Sequence, residues 1–138
     1  MFVIRQEQRH ALGREGTVGF GARMSEHLLE HFPAQCQALP EGELERIIAD
    51  GIERAAEHHL FAEVCVSKYL MLMFTFGADF DRSEWLSEMV DEHLDFSEGR
   101  HEFFRIDDLV DAALQRLEEE PWLAQLGIGV QREVRLSA

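Results

Sequence analysis

The stretch from Phe61 to Phe76, FAEVCVSKYLMLMFTF, constrains the fold of this chain more than any other part. Its second half, Tyr69 to Phe76, carries no charge, and the whole stretch has only Glu63 and Lys68 as charged residues. A helix that is apolar on nearly all sides must be covered by other helices or by lipid. The uncharged run is much shorter than the roughly 18 to 20 residues that a membrane span needs. The stretch therefore predicts the central helix of a small soluble bundle.

Apolar residues at helical spacing before this stretch predict two amphipathic helices that pack against it. The first begins near Phe20 and ends at Pro33, and the second begins at Pro40. The second helix has small residues, including Gly51 and Ala55, on its apolar face. Small residues there would let a neighbouring helix approach closely.

The chain after the central stretch predicts further helices and the loops between them. Gly77 is a natural stop for the central helix, and Ser83 is a good N-cap for a helix that carries Trp85 and Leu86. Residues 91–99 are mostly polar and predict a loop. A long amphipathic helix then covers 102–119, followed by a short turn that begins at Pro121 and is broken by a glycine.

Both ends of the chain carry weaker signals. Residues 1–4 and the alternating tail 128–136 could each form a short strand or a docked extended arm. Glycines crowd residues 13–21 and predict a break, because glycine costs about 1 kcal/mol in a helix interior. A length of 138 residues fits one domain. The sequence thus predicts an all-α, single-domain bundle over 1–138, with about five helices around residues 61–76.

Charge is the most distinctive bulk property of the chain. The sequence has 27 acidic and 13 basic residues, a formal net charge of −14. This charge argues against binding of phosphate backbones, where Lys and Arg supply the affinity, and favours attraction to a basic protein. An inhibitor that mimics nucleic acid is the alternative from another class. The residues that we expect to contact a partner are Asp79, Asp81, Glu84, Glu88, Asp91, Glu92 and Asp95.

One pattern suggests a metal enzyme. His27, Glu30 and His31 match the H-x-x-E-H arrangement of inverted zinc peptidases, in which two histidines lie one helical turn apart and a glutamate serves as base. A catalytic zinc needs a third protein ligand, and no other residue has a distinctive spacing. Polar residues flanking an apolar stripe explain the pattern more simply, so the zinc-dependent hydrolase is the last of the alternatives. The sequence shows no phosphate loop, dinucleotide fingerprint or nucleophile elbow, and we predict no enzymatic activity, cofactor or metal.

The cysteines and the N-terminus predict a reducing compartment. Cys36 and Cys65 lie in apolar surroundings without a C-x-x-C neighbour, which predicts buried free thiols, with one disulfide as the alternative. Met1 to His10 is charged too early for a signal peptide. We therefore predict a cytoplasmic protein with no membrane association.

Several short segments within about the first 85 residues carry a resemblance to a known family. They are Met1 to Gln8, His31 to Pro33 with Gln35 and Cys36, Gly51 to Ala55, Tyr69 to Phe74, and Gly77 to Asp81. In this order they resemble a family of small, mostly uncharacterised bacterial proteins that are encoded beside type VI secretion spike genes and their effectors.

The resemblance implies a cytoplasmic protein-binding accessory and brings no catalytic residues. Such a protein would be an adaptor or chaperone that loads a secreted effector, or an immunity protein that blocks one. The expected partner is an effector or spike component with a basic surface, and a homo-oligomer stays open. An immunity protein would use acidic residues to cover a cationic toxin, because complementary charge speeds capture. An adaptor would present an apolar patch or its terminal arms.

Overall fold

The computed structural model describes residues 19–130, and over that range the chain is an all-helical bundle without strands. This confirms the predicted fold class. Helix α1 covers 19–31, α2 Pro33–Gln37, α3 Glu43–Glu57, α4 Glu63–Phe76, α5 Ser87–His93 and α6 Glu102–Glu119; two 3-10 helices cover Phe80–Arg82 and Pro121–Leu126. None of the described helices is long and apolar enough to cross a membrane.

Helix α4 is the centre of the bundle, as predicted. Its buried side chains cover more than half of the circumference of the helix, and it packs against α3, α6 and both 3-10 helices. The helix begins at Glu63 rather than at Phe61, because Phe61 and Ala62 lead into it in extended form and donate their backbone N–H groups to Glu102 Oε1, at 2.7 and 3.0 Å. Gly77 ends the helix with φ of 111°, which favours glycine.

Helices α1, α4 and α6 run side by side in the same direction. Arg23 of α1 pairs with Glu63 at the start of α4, at 2.7 Å, while the ring of Phe32, just after α1, lies 5.5 Å from the ring of Phe74 near the end of α4. Glu102 begins α6 beside the start of α4, and one turn further on Lys68 pairs with Asp107. Residues 77–101, which include α5, therefore return the chain to the end of the bundle where α4 began.

The predicted small face of α3 is confirmed at Gly51. A Cβ atom at this position would lie 2.3 Å from Leu70 Cδ2 and 3.1 Å from Met73 Sδ, so α3 approaches α4 through a gap that only glycine leaves open. Gly21 of α1 is the opposite case, because a Cβ there would meet no atom within 4 Å.

We expect alanine to change stability in opposite directions at these two glycines. Gly21→Ala should raise the free energy of unfolding by up to about 1 kcal/mol through helix propensity. Gly51→Ala should lower it by roughly 1 kcal/mol, because overpacking against Leu70 outweighs the same propensity gain. Denaturant unfolding of both variants checks this. An equal stabilisation by the two substitutions would contradict the close approach of α3 to α4.

The start of α3 lies later than predicted. The helix begins at Glu43 rather than at Pro40, because residues 41 and 42 form a turn in which Gly42 has φ of 85° and the Glu43 N–H donates to Pro40 O at 3.1 Å.

Helix α5 also differs from its prediction. It begins at Ser87, and Ser83 instead closes the turn before it, since Ser83 Oγ accepts from the Leu86 N–H at 3.1 Å. Residues 91–93, predicted as loop, belong to α5. The prediction that Ser83 is the N-cap of a helix carrying Trp85 and Leu86 is therefore wrong, because both residues lie in the turn that Ser83 closes before α5 begins.

One glutamine holds the last described residues against the bundle. Gln35 Nε2 donates to Phe74 O and to Ile128 O, each at 2.7 Å, and so ties α2 to the end of α4 and to the final described residues. Residues 128–130 of the predicted tail form no strand. The predictions for 1–18 and for 131–136 lie outside the described residues.

Candidate functional site

Most of the acidic residues predicted to contact a partner lie on one exposed segment. The exposed members come from the turn before α5, from α5 itself and from the loop after it: Glu84, Glu88, Asp91, Glu92 and Asp95. Asp95 also closes its own loop, because its Oδ1 accepts from the Ser97 N–H at 2.9 Å, and this backbone hydrogen bond lowers the pKa of the Asp95 carboxyl. We call these five residues the α5 acidic surface.

Asp81 lies inside the bundle rather than on the surface where it was predicted. Only 5% of its side chain is exposed, and its carboxylate accepts from Arg54 Nη2 at 2.6 Å and from the Tyr69 hydroxyl at 2.9 Å, with His58 Nε2 at 3.3 Å. Asp79 is 76% exposed, but it also accepts from Arg54, at 2.7 Å. Asp81 is thus committed to contacts within the chain, and Asp79 belongs to the edge of the same group.

The environment of Asp81 favours its ionised form. Burial of the carboxylate opposes ionisation, but the hydrogen bonds from His58 and Tyr69 and the charge of Arg54 outweigh burial and hold the pKa of Asp81 below its usual value. The same burial, with the negative charge of Asp81, raises the pKa of Tyr69. At neutral pH the site is therefore an arginine–aspartate pair with a neutral tyrosine as a further donor.

Arg54 and Arg105 are buried cations that the sequence analysis missed. Arg54 is 7% exposed and donates to Ala78 O at 2.8 Å as well as to the two aspartates. Its position three residues after Gly51, on the apolar stripe of α3, is a signal that could have found it.

Arg105 is 4% exposed and binds backbone carbonyls instead of carboxylates. It donates to the carbonyl oxygens of His58, His59, Leu94 and Arg100 at 2.9 to 3.0 Å. A single side chain thereby joins the corner between α3 and α4 to both ends of the loop before α6. The role of Arg105 is structural.

The remaining charges leave the surface strongly acidic. The described range holds 24 of the 27 acidic residues but 8 of the 13 basic ones. Most of its cations are engaged within the chain. Besides the two buried arginines, the ion pairs are Arg23 with Glu63, Arg46 with Glu43, Lys68 with Asp107, Arg100 with Asp108, and Arg116 with Glu120.

Large aromatic side chains are exposed in two places. Trp85 and Trp122 pack edge to face, with ring centroids 4.8 Å apart and an interplanar angle of 87°, and are 39% and 42% exposed. At the other end of α6, Phe103 and Phe104 are exposed near the corner between α3 and α4.

The H-x-x-E-H residues form no complete metal site in the described range. The rings of His27 and His31 lie 4.3 Å apart between centroids on adjacent turns of α1, and Glu30 is exposed beside them. Among residues 19–130, no group of three or more His, Cys, Asp or Glu side chains could hold a metal ion. The described structure thus supplies no third ligand for the pair.

Both cysteines are buried free thiols, as predicted. Burial, together with the neighbouring Glu102 carboxylate, raises the pKa of Cys65 to about 12, and burial raises the pKa of Cys36. A thiol is nucleophilic only as the thiolate. Neither cysteine is therefore activated for catalysis.

Comparison with known proteins adds no homologue to this description. No protein-family model, curated protein or solved structure matches the chain. The family that the sequence resembles stays a prediction.

Proposed function

We propose that this protein is a non-enzymatic accessory that binds a protein with a basic surface. The observation that carries the proposal is the division of charge within residues 19–130. Most cations there are engaged in ion pairs or bound to carbonyls within the chain, while the α5 acidic surface faces solvent. A surface of one sign steers an oppositely charged partner and raises the rate of association.

The proposed partner is a secreted effector or spike component of a bacterial type VI secretion cluster. The similarity of segments within residues 1–85 to proteins encoded beside such genes supports this context. In that setting the protein acts in the cytoplasm, before secretion, as an effector adaptor or chaperone, or as an immunity protein. The α5 acidic surface suits either role, because both require recognition of a basic protein.

Affinity capture from the native host tests the proposal. The tagged protein should retain a basic protein at about 50 mM salt and lose much of it at about 300 mM, because salt screens exposed charges. Amide substitution of Glu84, Glu88, Asp91 and Glu92 should reduce the association rate about tenfold or more. The matched control removes the same charge from exposed positions on α3: Glu45, Asp50, Glu53 and Glu57.

The outcomes separate the alternatives. An equal reduction of the association rate by both sets of substitutions would contradict the placement of the interface on α5. Capture of no basic protein would contradict the proposed function. If the captured protein binds DNA and DNA competes for it, the protein is instead a nucleic-acid mimic. Rescue of cells that express the effector indicates immunity, whereas loss of secretion after deletion, without self-poisoning, indicates an adaptor.

A further inference from the structure

The pair formed by Trp85 and Trp122 presents an unusual amount of aromatic surface to solvent. The two residues are 37 positions apart in the chain, in the turn before α5 and in the 3-10 helix after α6. In this edge-to-face packing the edge of one ring meets a face of the other, and on the order of 100 Å² of each tryptophan stays exposed. Tryptophan is the residue most enriched in the centres of protein interfaces, together with tyrosine and arginine.

Glutamates lie close to this pair at the end of α6. Arg116 Nη1 donates to Trp85 O at 3.2 Å and lies 3.5 Å from Glu120 Oε2, which places Glu120 beside the backbone of Trp85. Glu118 and Glu119 precede it on the last turn of α6, and both are exposed. Negative charge at a helix C-terminus is unfavourable to the helix dipole. These acids therefore do not stabilise the helix that carries them, and Arg116 is already engaged.

The chain around Trp85 also carries exposed acids. Glu84 precedes Trp85 directly and Glu88 follows it by three residues, and both belong to the α5 acidic surface. Exposed indole rings with neighbouring carboxylates complement one kind of group, a cation on a flexible side chain, which binds over an indole ring while the carboxylates balance its charge.

We propose that Trp85 and Trp122 form the anchor of the partner interface and receive an arginine or lysine side chain of the basic partner. This inference rests on the proposed function and gives it a location and a contact chemistry. The phenylalanines at the start of α6 offer a weaker match, because Asp107 and Asp108 on the same helix are paired with Lys68 and Arg100.

Intrinsic fluorescence tests the anchor directly, because the chain has only these two tryptophans. The probe is a peptide of about eight arginines without aromatic residues, whose guanidinium groups are the proposed ligands. Saturation should change the tryptophan emission, and a glycine–serine peptide of equal length should not. Trp122→Ala should weaken binding of the arginine peptide about tenfold or more, measured by calorimetry. The matched control, Phe104→Ala, removes a 66% exposed aromatic ring from the other end of α6 and should change affinity less than about twofold.

A second pair of variants keeps the test independent of any loss of folding in Trp122→Ala. The double substitution Glu118→Gln with Glu119→Gln changes exposed residues only and should weaken binding of the arginine peptide about fivefold. Glu45→Gln with Glu53→Gln on α3 removes the same charge and should have a smaller effect. Equal effects of the two pairs, or unchanged tryptophan emission at saturation, would overturn the anchor.

The failure of the anchor differs from the failure of the function. Calorimetry could show that the peptide binds although the tryptophan emission does not change and Trp122→Ala keeps the full affinity. In that case the proposed recognition of a basic partner is retained and the anchor is wrong. If no arginine peptide binds at all, the proposed recognition of a basic surface fails together with the anchor.

Discussion

Replacement of Met73 by aspartate should abolish the cooperative thermal unfolding of the protein. Met73 is 0% exposed on α4, where α3 approaches through Gly51. A carboxylate at this position would be buried without a partner, or would have to take up a proton to become neutral. Such changes cost about 4 kcal/mol or more, a large part of the roughly 5 to 15 kcal/mol that stabilises a domain. Leu72→Asp on the same turn should act in the same way.

Val64→Asp is the matched control for this prediction. Val64 lies in the first turn of the same helix and is 49% exposed, so the new carboxylate stays hydrated. An acidic residue there also suits the positive end of the helix dipole. Far-ultraviolet circular dichroism during heating should show a cooperative transition for Val64→Asp and none for Met73→Asp. Cooperative melting of Met73→Asp near the temperature of the unmodified protein would refute the central position of α4.

The order of the helices could be predicted from sequence because their signals are local. The apolar density of α4, the apolar spacing of α6 and the proline and glycine around the final 3-10 helix each lie within the element that they predict. Turn residues indicate the starts of helices less clearly, because a good capping residue such as Ser83 can also close an isolated turn. For that reason both helices, α3 and α5, are present as predicted, but each begins a few residues later than predicted.

The partners of the buried charges could not be predicted, because they depend on contacts between residues that are distant in the chain. The acidic segment that begins at Asp79 looks uniform in sequence, and only the fold turns Asp81 inward to Arg54, 27 residues away. Arg105 likewise depends on carbonyl groups up to 47 residues away. The packing of Trp85 against Trp122 likewise depends on a contact between residues that are distant in the chain. Sequence patterns identified the acidic region, but the fold decides which of its members face solvent.

Asp81→Asn should lower the free energy of unfolding by about 3 kcal/mol at neutral pH. The substitution removes the negative charge that faces Arg54 and Tyr69, and breaking a buried pair leaves the other charge uncompensated. The exposed Asp79 carboxylate still contacts Arg54 and keeps the loss from being larger. The matched control is Asp107→Asn, which breaks the exposed ion pair with Lys68 and should cost no more than about 1 kcal/mol.

The effect of Asp81 should depend on pH in a defined direction. Because folding lowers the pKa of Asp81 from its ordinary value of 3.8, the stabilising contribution is complete above that value and is lost as pH falls through the lower pKa of the folded state. Denaturant unfolding of the unmodified protein and of Asp81→Asn should therefore give a constant difference in free energy at pH values above about 5, and a shrinking difference below about 4. Taking the difference cancels the titration of the other carboxylates. A difference that is constant down to strongly acidic pH, or that grows on acidification, would show that Asp81 is not held ionised by Arg54, Tyr69 and His58.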